Sequence, residues 1–256
     1  MNASLNITYL TATVGVDDIT SQPVSVSLHD NVLVAGRTGS GVSNTVNNLL
    51  ADVAGKPLVE LLGIDPFNEL RDWAPRFTTL ASADADISAL LVSIVQRMQH
   101  RKAELHSARA VRLGFDSTLE PSGEMPLVVL VIRELPDPTL ADKVLLREIL
   151  RTGRALGIRV VMAGQCAFNL RGEERNNFGT VVVHATRNAA QTQFLLGPAA
   201  ASAPAELLNV NDPAHRGLGY AVTHGAVSKF RSPYFPTGLI ARIAKATSPL
   251  VPQALM

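Results

Sequence analysis

The stretch from Gly36 to Ser43, "GRTGSGVS", spaces its glycines and its serine as a phosphate-binding loop does, Gly-x-x-x-x-Gly-Lys-Ser/Thr. In such a loop the glycines let backbone N–H groups converge on phosphate oxygens, and the following helix presents its positive end. Ser43 keeps the hydroxyl that would hold Mg²⁺, but Val42 stands where the lysine is required. The other half of such a site is a strand ending in an acid on the metal side, often followed by a glutamate that activates water. Residues 128–137, "VVLVIRELPD", have that outline, with Arg133 on the metal side and Glu134 in the glutamate position. Both halves are therefore present in shape and altered at their most demanding positions.

The cost of the two changes is electrostatic. A lysine ammonium ~4 Å from a phosphate charge is worth on the order of 4 kcal/mol at an effective dielectric near 20. Its loss weakens phosphate binding and removes charge neutralisation from a transition state. Arg133 sets a cation beside a position that expects a carboxylate and Mg²⁺. Two arrangements follow. In one, Arg133 folds toward the loop and partly replaces both cations, giving weak, metal-independent binding of a phosphate or nucleotide. In the other, it pairs with Glu134 or another acid and seals an empty pocket. The candidate contact set is Gly36, Arg37, Thr38, Gly39, Ser40, Gly41, Val42, Ser43, Asn44 and Arg133. The expected ligand is a weakly held phosphate or nucleotide, with Mg²⁺ in doubt, and no metal ligands are assigned.

These residues need elements to hold them. "NVLVAG" (31–36) reads as a buried strand feeding the loop, and a helix follows over about 43–53. Residues 58–64, 126–132, 158–163 and 180–185 read as further strands, with no polar alternation in "PLVVLVI", as in a sheet covered on both faces. A long helix over 84–108 gathers Ile87, Leu90, Leu91, Ile94, Val95, Met98 and Leu105 on one side. Another runs from about Thr139 to Leu156 and stops at Gly157, and "AAQTQFLLG" forms one more. Strand–helix alternation of this kind predicts an α/β fold with a mostly parallel sheet. The short β-rich runs of residues 1–30, "LNITYL" and "PVSVSL", predict a leading hairpin or edge strands. The expected division is a lead over 1–30, a core over 31–240 and a tail over 241–256, loose from Ala246 onward.

Composition narrows the class. The chain has 256 residues, 46% hydrophobic and 18% charged, with a net charge of +1, so any nucleic-acid surface must be local. One cysteine, Cys166, excludes an internal disulfide and fits a reducing compartment; with no histidine placed to activate it, it reads as a buried thiol. No apolar run reaches the ~18 residues of a membrane span, and residues 1–20 lack a charged start followed by an apolar stretch, so a cytoplasmic chain is expected. His29, His100, His106, His184, His215 and His224 show no zinc-ligand spacing. Lys143, Arg147, Arg151 and Arg154 form a basic stripe that is either a solvated face, a subunit contact offering an arginine to a neighbour, or a DNA-phosphate contact. Arg97, Arg101, Lys102, Arg109 and Arg112, with Glu104 interspersed and no aromatics nearby, read as a solvated set.

Taken together, "VLVAGRTGSGVSN", "GIDP", "VVLVIREL", "RTGRALGIRVVMAGQ" and "GLGYAV" resemble the motor domain of FtsK/SpoIIIE-type DNA translocases, nearest to the TraB-like actinobacterial conjugation branch. The resemblance spans residues 20–235 in order and spacing. It implies a RecA-like P-loop NTPase core, hexameric rings, ATP and double-stranded DNA. It also assigns roles: Glu134 to water activation, Gln165 to γ-phosphate sensing, and Arg154 to the subunit junction as an arginine offered in trans. The departures fall on charged positions: Val42 for the loop lysine, Phe67 for the lysine after Asp65-Pro66, Arg133 for the metal-side aspartate, and Cys166-Ala167 for an Arg-Pro pair. Asp65 and Glu134 also read as paired carboxylates, but each already has a place in the family pattern. The framework is kept and the chemistry is lost, as expected of a pseudo-ATPase working in a homo-oligomer, in a ring with an intact homologue, or on non-specific double-stranded DNA. The alternatives are an active translocase using Arg133 for the missing lysine, and a nucleotide-independent adaptor with no ring. The family's DNA-orienting winged-helix domain and its membrane anchors have no counterpart in the sequence.

Overall fold

The computed structural model describes residues 11–108, 121–135, 138–165 and 170–248. "LNITYL", Arg109, Arg112, Cys166, Ala167 and the last residues lie outside them. Ten strands form one sheet: β1 (Thr11–Asp17), β2 (Pro23–Ser27), β3 (Asn31–Ala35), β4 (Val59–Ile64), β5 (Thr79–Ala81), β6 (Leu127–Arg133), β7 (Ile158–Gly164), β8 (Phe178–Val183), β9 (Leu218–Thr223) and β10 (Ala226–Arg231). Their order is β2-β1-β10-β9-β8-β3-β7-β6-β4-β5. From β8 to β5 every neighbouring pair is parallel. From β8 to β2 every pair is antiparallel.

The central strands carry apolar residues at every position because each face of the sheet is covered. Along β6, Val128, Leu130 and Ile132 enter one core while Val129 and Val131 enter the other. The first core lies beneath α2 (Asp84–Ser107), α3 (Leu140–Thr152) and α5 (Ala189–Leu196). The second lies beneath α1 (Val42–Ala54), α6 (Thr237–Ala246) and the turn around Trp73, whose indole N–H donates to Asn47 Oδ1 at 3.0 Å. A short α4 (Gly172–Arg175) precedes β8. Asn31 ties three elements at the start of β3. Its amide donates to the carbonyls of Leu150 (3.1 Å) and Asn177 (3.0 Å), and its Oδ1 accepts from Val160 N–H (2.9 Å). Buried polar atoms must be satisfied in this way or destabilise the fold by a few kcal/mol.

Several expectations are redrawn by the structure. The helix expected to reach Leu156 gives way at Gly153 to a 3-10 turn, and Gly157 takes the left-handed conformation (φ 73°) that ends it. The leading hairpin, β1 and β2, agrees with the expectation of a hairpin or edge strands and joins the edge of the main sheet beside β10. At the other end α6 runs across the boundary expected at residue 240, burying Ile240 and Ala244. Two members of the set read as solvated have structural roles. Arg97 pairs with Glu60, and Arg101 is buried, donating to the carbonyls of Leu156 (2.9 Å), Gly157 (3.3 Å) and Pro126 (2.5 Å). Arg101 falls three residues after Met98 and four before Leu105, on the apolar stripe of α2, so helical spacing alone puts it inside.

Candidate nucleotide site

The site forms where the parallel strands end. In open α/β sheets the crevice beyond the carboxyl ends of the strands is where ligands bind. β3 delivers the loop, β6 delivers Arg133 and Glu134, and β7, lying between them, delivers Gly164 and Gln165. Register fixes the levels: Arg133 lies beside Ala163, which lies beside Val34. A cavity of about 340 Å³ opens there, lined by the loop together with Asn44, Glu69, Arg133, Glu134, Gln165 and Arg216.

Loop geometry follows from its glycines. Gly39 (φ 79°) and Gly41 (φ 122°) occupy backbone conformations that other residues rarely adopt. A side-chain carbon at Gly41 would lie 2.9 Å from Gly217 Cα and 3.2 Å from the His184 ring. Gly41 is also the N-cap of α1, supplying no side-chain acceptor, and the first turn of α1 holds no acid. The helix end therefore keeps its partial positive charge. Val42, 8% exposed, is packed in the core beneath the loop, close against Gly36.

Arg133 turns toward the loop. Its Nη2 donates to Ser43 Oγ at 3.2 Å and also pairs with the carboxylate of Glu69. The Arg133 side chain is 4% exposed, and its Nη1 is buried with no hydrogen-bond partner among the described residues. Glu69 reaches it because Asp65, fully buried at the end of β4, accepts the backbone N–H groups of Glu69 (2.9 Å) and Leu70 (2.6 Å) and so fixes the turn between them. Both Asp65 carboxylate oxygens are engaged in shaping that turn.

Glu134 sits at φ 49°, and its Oε1 accepts the Gln165 backbone N–H at 2.5 Å. The Gln165 side chain donates to Thr38 Oγ1, again at 2.5 Å, which brings the proposed sensor onto the loop. Arg154 lies elsewhere. It pairs with Asp30 just before β3, a strand length of roughly 17 Å from the loop of its own chain. Arg147 of the same stripe pairs with Glu174 at 3.0 Å.

Sequence comparison settles the ancestry of this arrangement. Residues 9–209 match the FtsK/SpoIIIE family. The chain belongs to that family. The FtsK/SpoIIIE domain is 26% identical over 230 residues to the DNA translocase FtsK of Staphylococcus epidermidis, covering 80% of the chain and 28% of that relative. It is 31% identical over 156 residues to the DNA translocase FtsK of Lactococcus lactis, covering 53% of the chain and 20% of that relative. The chain thus spans less than a third of the length of these relatives. Among solved structures it resembles the pCW3 conjugation coupling protein TcpA with ATPγS (TM-score 0.71, 15% identity, 92% of this chain and 70% of that one). It also resembles EssC ATPases 2 and 3 from Geobacillus thermodenitrificans (TM-score 0.71, 18% identity, 96% and 49%). Those likenesses establish an α/β P-loop fold. No described helix of the FtsK/SpoIIIE domain is long and apolar enough to cross a membrane.

The sequence reading overlooked Glu69, Arg216 and His184. Glu69 had a local signal: it follows Phe67 by two residues, in the segment where the resemblance already places a lost lysine. Arg216 and His184 reach the loop only through the fold. One further position tests the geometry. Gly164 has φ 135°, and a side-chain carbon there would fall 2.0 Å from Glu134 Oε1. Gly164→Ala should destabilise the domain by about 2 kcal/mol or more, combining backbone strain with expulsion of the carboxylate. Denaturant titration measures the loss, and an unchanged midpoint would mean that Glu134 is not held there.

Proposed function

We propose that this FtsK/SpoIIIE-type domain is a pseudo-ATPase subunit that acts in the cytoplasm through ring assembly or through association with DNA or an active homologue. The observation that carries the reading is Arg133 lodged between Ser43 and Glu69 while buried Val42 holds the lysine position. Mg²⁺ requires near-octahedral oxygen ligands at about 2.1 Å. Here the serine hydroxyl that would provide one accepts from a guanidinium, and the metal-side carboxylate is replaced by that same cation. The residues present do not fit the ion, and no hydrolytic step is assigned to them.

Glu134 has its carboxylate engaged by the Gln165 backbone, which also argues against water activation in this arrangement. Arg154, paired with Asp30 and far from the loop of its own chain, has no part in its own site, and we assign it to a subunit contact or to DNA phosphates. A second reading, an active double-stranded DNA translocase with Arg133 in place of the loop lysine, draws on the same contact of Arg133 with Ser43.

Phosphate release from ATP with Mg²⁺ separates the two. The pure chain should show no turnover above background, and it should alter the rate of an intact homologue mixed with it. Robust Mg²⁺-dependent turnover by the chain alone, stimulated by double-stranded DNA, would overturn the first reading in favour of the second.

A further inference from the structure

We propose that the cavity binds a polyphosphate anion without any divalent cation, and that Glu69 occupies the anion's place on Arg133 until it arrives. The inference rests on the reading that Mg²⁺-dependent hydrolysis is lost, and it names what the retained loop is for. Four features converge on it. The positive end of α1 is left open by Gly41 and by an acid-free first turn. Arg133, in the cavity wall, keeps one buried guanidinium nitrogen, Nη1, with no partner among the described residues. A buried N–H in that condition costs free energy until an acceptor reaches it. Three arginines, Arg37, Arg133 and Arg216, line the cavity against two glutamates, Glu69 and Glu134.

The fourth feature is the asymmetry of the Arg133–Glu69 pair. Arg133 ends a fully buried strand and is itself buried, so it has little freedom to leave. Glu69 is 39% exposed on a turn whose backbone Asp65 fixes independently, so its carboxylate can rotate into water without unmaking the fold. An anion reaching the loop would exchange with it. The cavity would then gain net positive charge, Nη2 would exchange the Glu69 carboxylate for a phosphate oxygen, and the phosphates would sit against the helix terminus. A divalent cation has no role in this exchange and is repelled by Arg133. Chelation of free ATP by Mg²⁺ would withdraw charge from the ligand and weaken the complex.

Calorimetry of the purified chain in EDTA tests the proposal, with ATP and inorganic tripolyphosphate as separate probes. Both should bind, ATP more tightly if the nucleoside adds contacts and equally if the phosphates alone are read. Saturating Mg²⁺ should weaken ATP binding several-fold. Glu69→Gln, which removes the competing charge, should tighten both probes about ten-fold, and Arg133→Met should weaken them by at least a hundred-fold while thermal melting checks that it folds. Absence of binding by both the parent chain and Glu69→Gln at millimolar probe would overturn the proposal, as would binding that appears only with Mg²⁺. An unaltered affinity in Glu69→Gln would overturn the competing role of Glu69. Binding is read without metal and turnover with it, so either conclusion can fail while the other stands.

Discussion

A chain carrying Val42→Lys and Arg133→Asp together should bind ATP at least a hundred-fold more tightly with Mg²⁺ than in EDTA, reversing the metal dependence of the parent. The frame for this is present: Gly39 and Gly41 already hold the loop in its left-handed conformations, and Ser43 already faces position 133. What is missing is charge of the right sign in two places. A lysine ~4 Å from a phosphate contributes on the order of 4 kcal/mol at an effective dielectric near 20, and about 1.4 kcal/mol is a factor of ten. The aspartate would release Ser43 from the guanidinium and supply the carboxylate that a hydrated Mg²⁺ needs. Neither change should suffice alone. Val42→Lys leaves Arg133 against Ser43, and Arg133→Asp sets a new carboxylate beside Glu69 with no cation between them. Adding Glu69→Gln to the Arg133→Asp chain should restore part of the lost stability. Calorimetry with and without Mg²⁺ on the double variant and both single variants gives the result. A double variant indifferent to Mg²⁺ would show that position 133 is not the metal side of this site.

What the sequence could tell about this site depended on how local each contact is. The loop, the strand before it and the helix after it are neighbours along the chain, so glycine spacing and an apolar run were enough to place them. β6 and its terminal Arg133 were legible for the same reason, since an unbroken apolar run leaves one reading for a covered strand. The apolar stripe of α2 was legible at each of its seven residues, but Arg101, which lies on it, was assigned to solvent by its charge. Periodicity and charge gave opposite answers there, and carbonyl acceptors at the helix flank decided in favour of periodicity. The β9–β10 hairpin also carried a local signal that went unused as structure. "GYAVTHGAVSKF" turns through His224 (φ 49°) and Gly225 (φ 85°), a two-residue loop of the kind that x-Gly favours.

Long-range contacts were not legible. Ser43 meets Arg133 across 90 positions, Glu69 meets Arg133 across 64, and Thr45 meets His184 across 139. Each depends on strand order, and motif spacing says nothing about which strand lies between two others. The insertion of β7 between β3 and β6 is what sets Gly164 and Gln165 between the loop and Arg133, and the family pattern alone had placed only the glutamine.

His184 provides the second large expected effect, and it links stability to the loop directly. The ring is fully buried just beyond β8. Its Nδ1 lies 2.7 Å from the Leu218 carbonyl, which can only accept, so Nδ1 carries the proton. Nε2 must then accept from the hydroxyl of Thr45, also at 2.7 Å, in the first turns of α1. The ring meets Phe230 edge-on at 5.5 Å and packs under Gly41. Burial pushes its pKa down to about 4, opposed only in part by the hydrogen bond to Leu218. In the unfolded chain a histidine titrates near 6.5. Between those values the unfolded chain holds the extra proton, so this contribution to stability is complete above pH 6.5 and is lost as the pH falls toward 4. The loss approaches about 3 kcal/mol at the acid end. His184→Gln can donate to Leu218 and accept from Thr45 without ever becoming charged. Its denaturant midpoint should therefore fall less than that of the parent between pH 7 and pH 4.5. A parallel fall in the two chains would mean that other groups govern the acid limb. Because Thr45 anchors the first turns of the helix whose end faces the cavity, protonation of His184 should also disturb the loop. Tripolyphosphate affinity in EDTA should then fall more steeply in the parent than in His184→Gln as the pH approaches 4, where the folded ring takes up its proton, although the anion itself titrates identically for both.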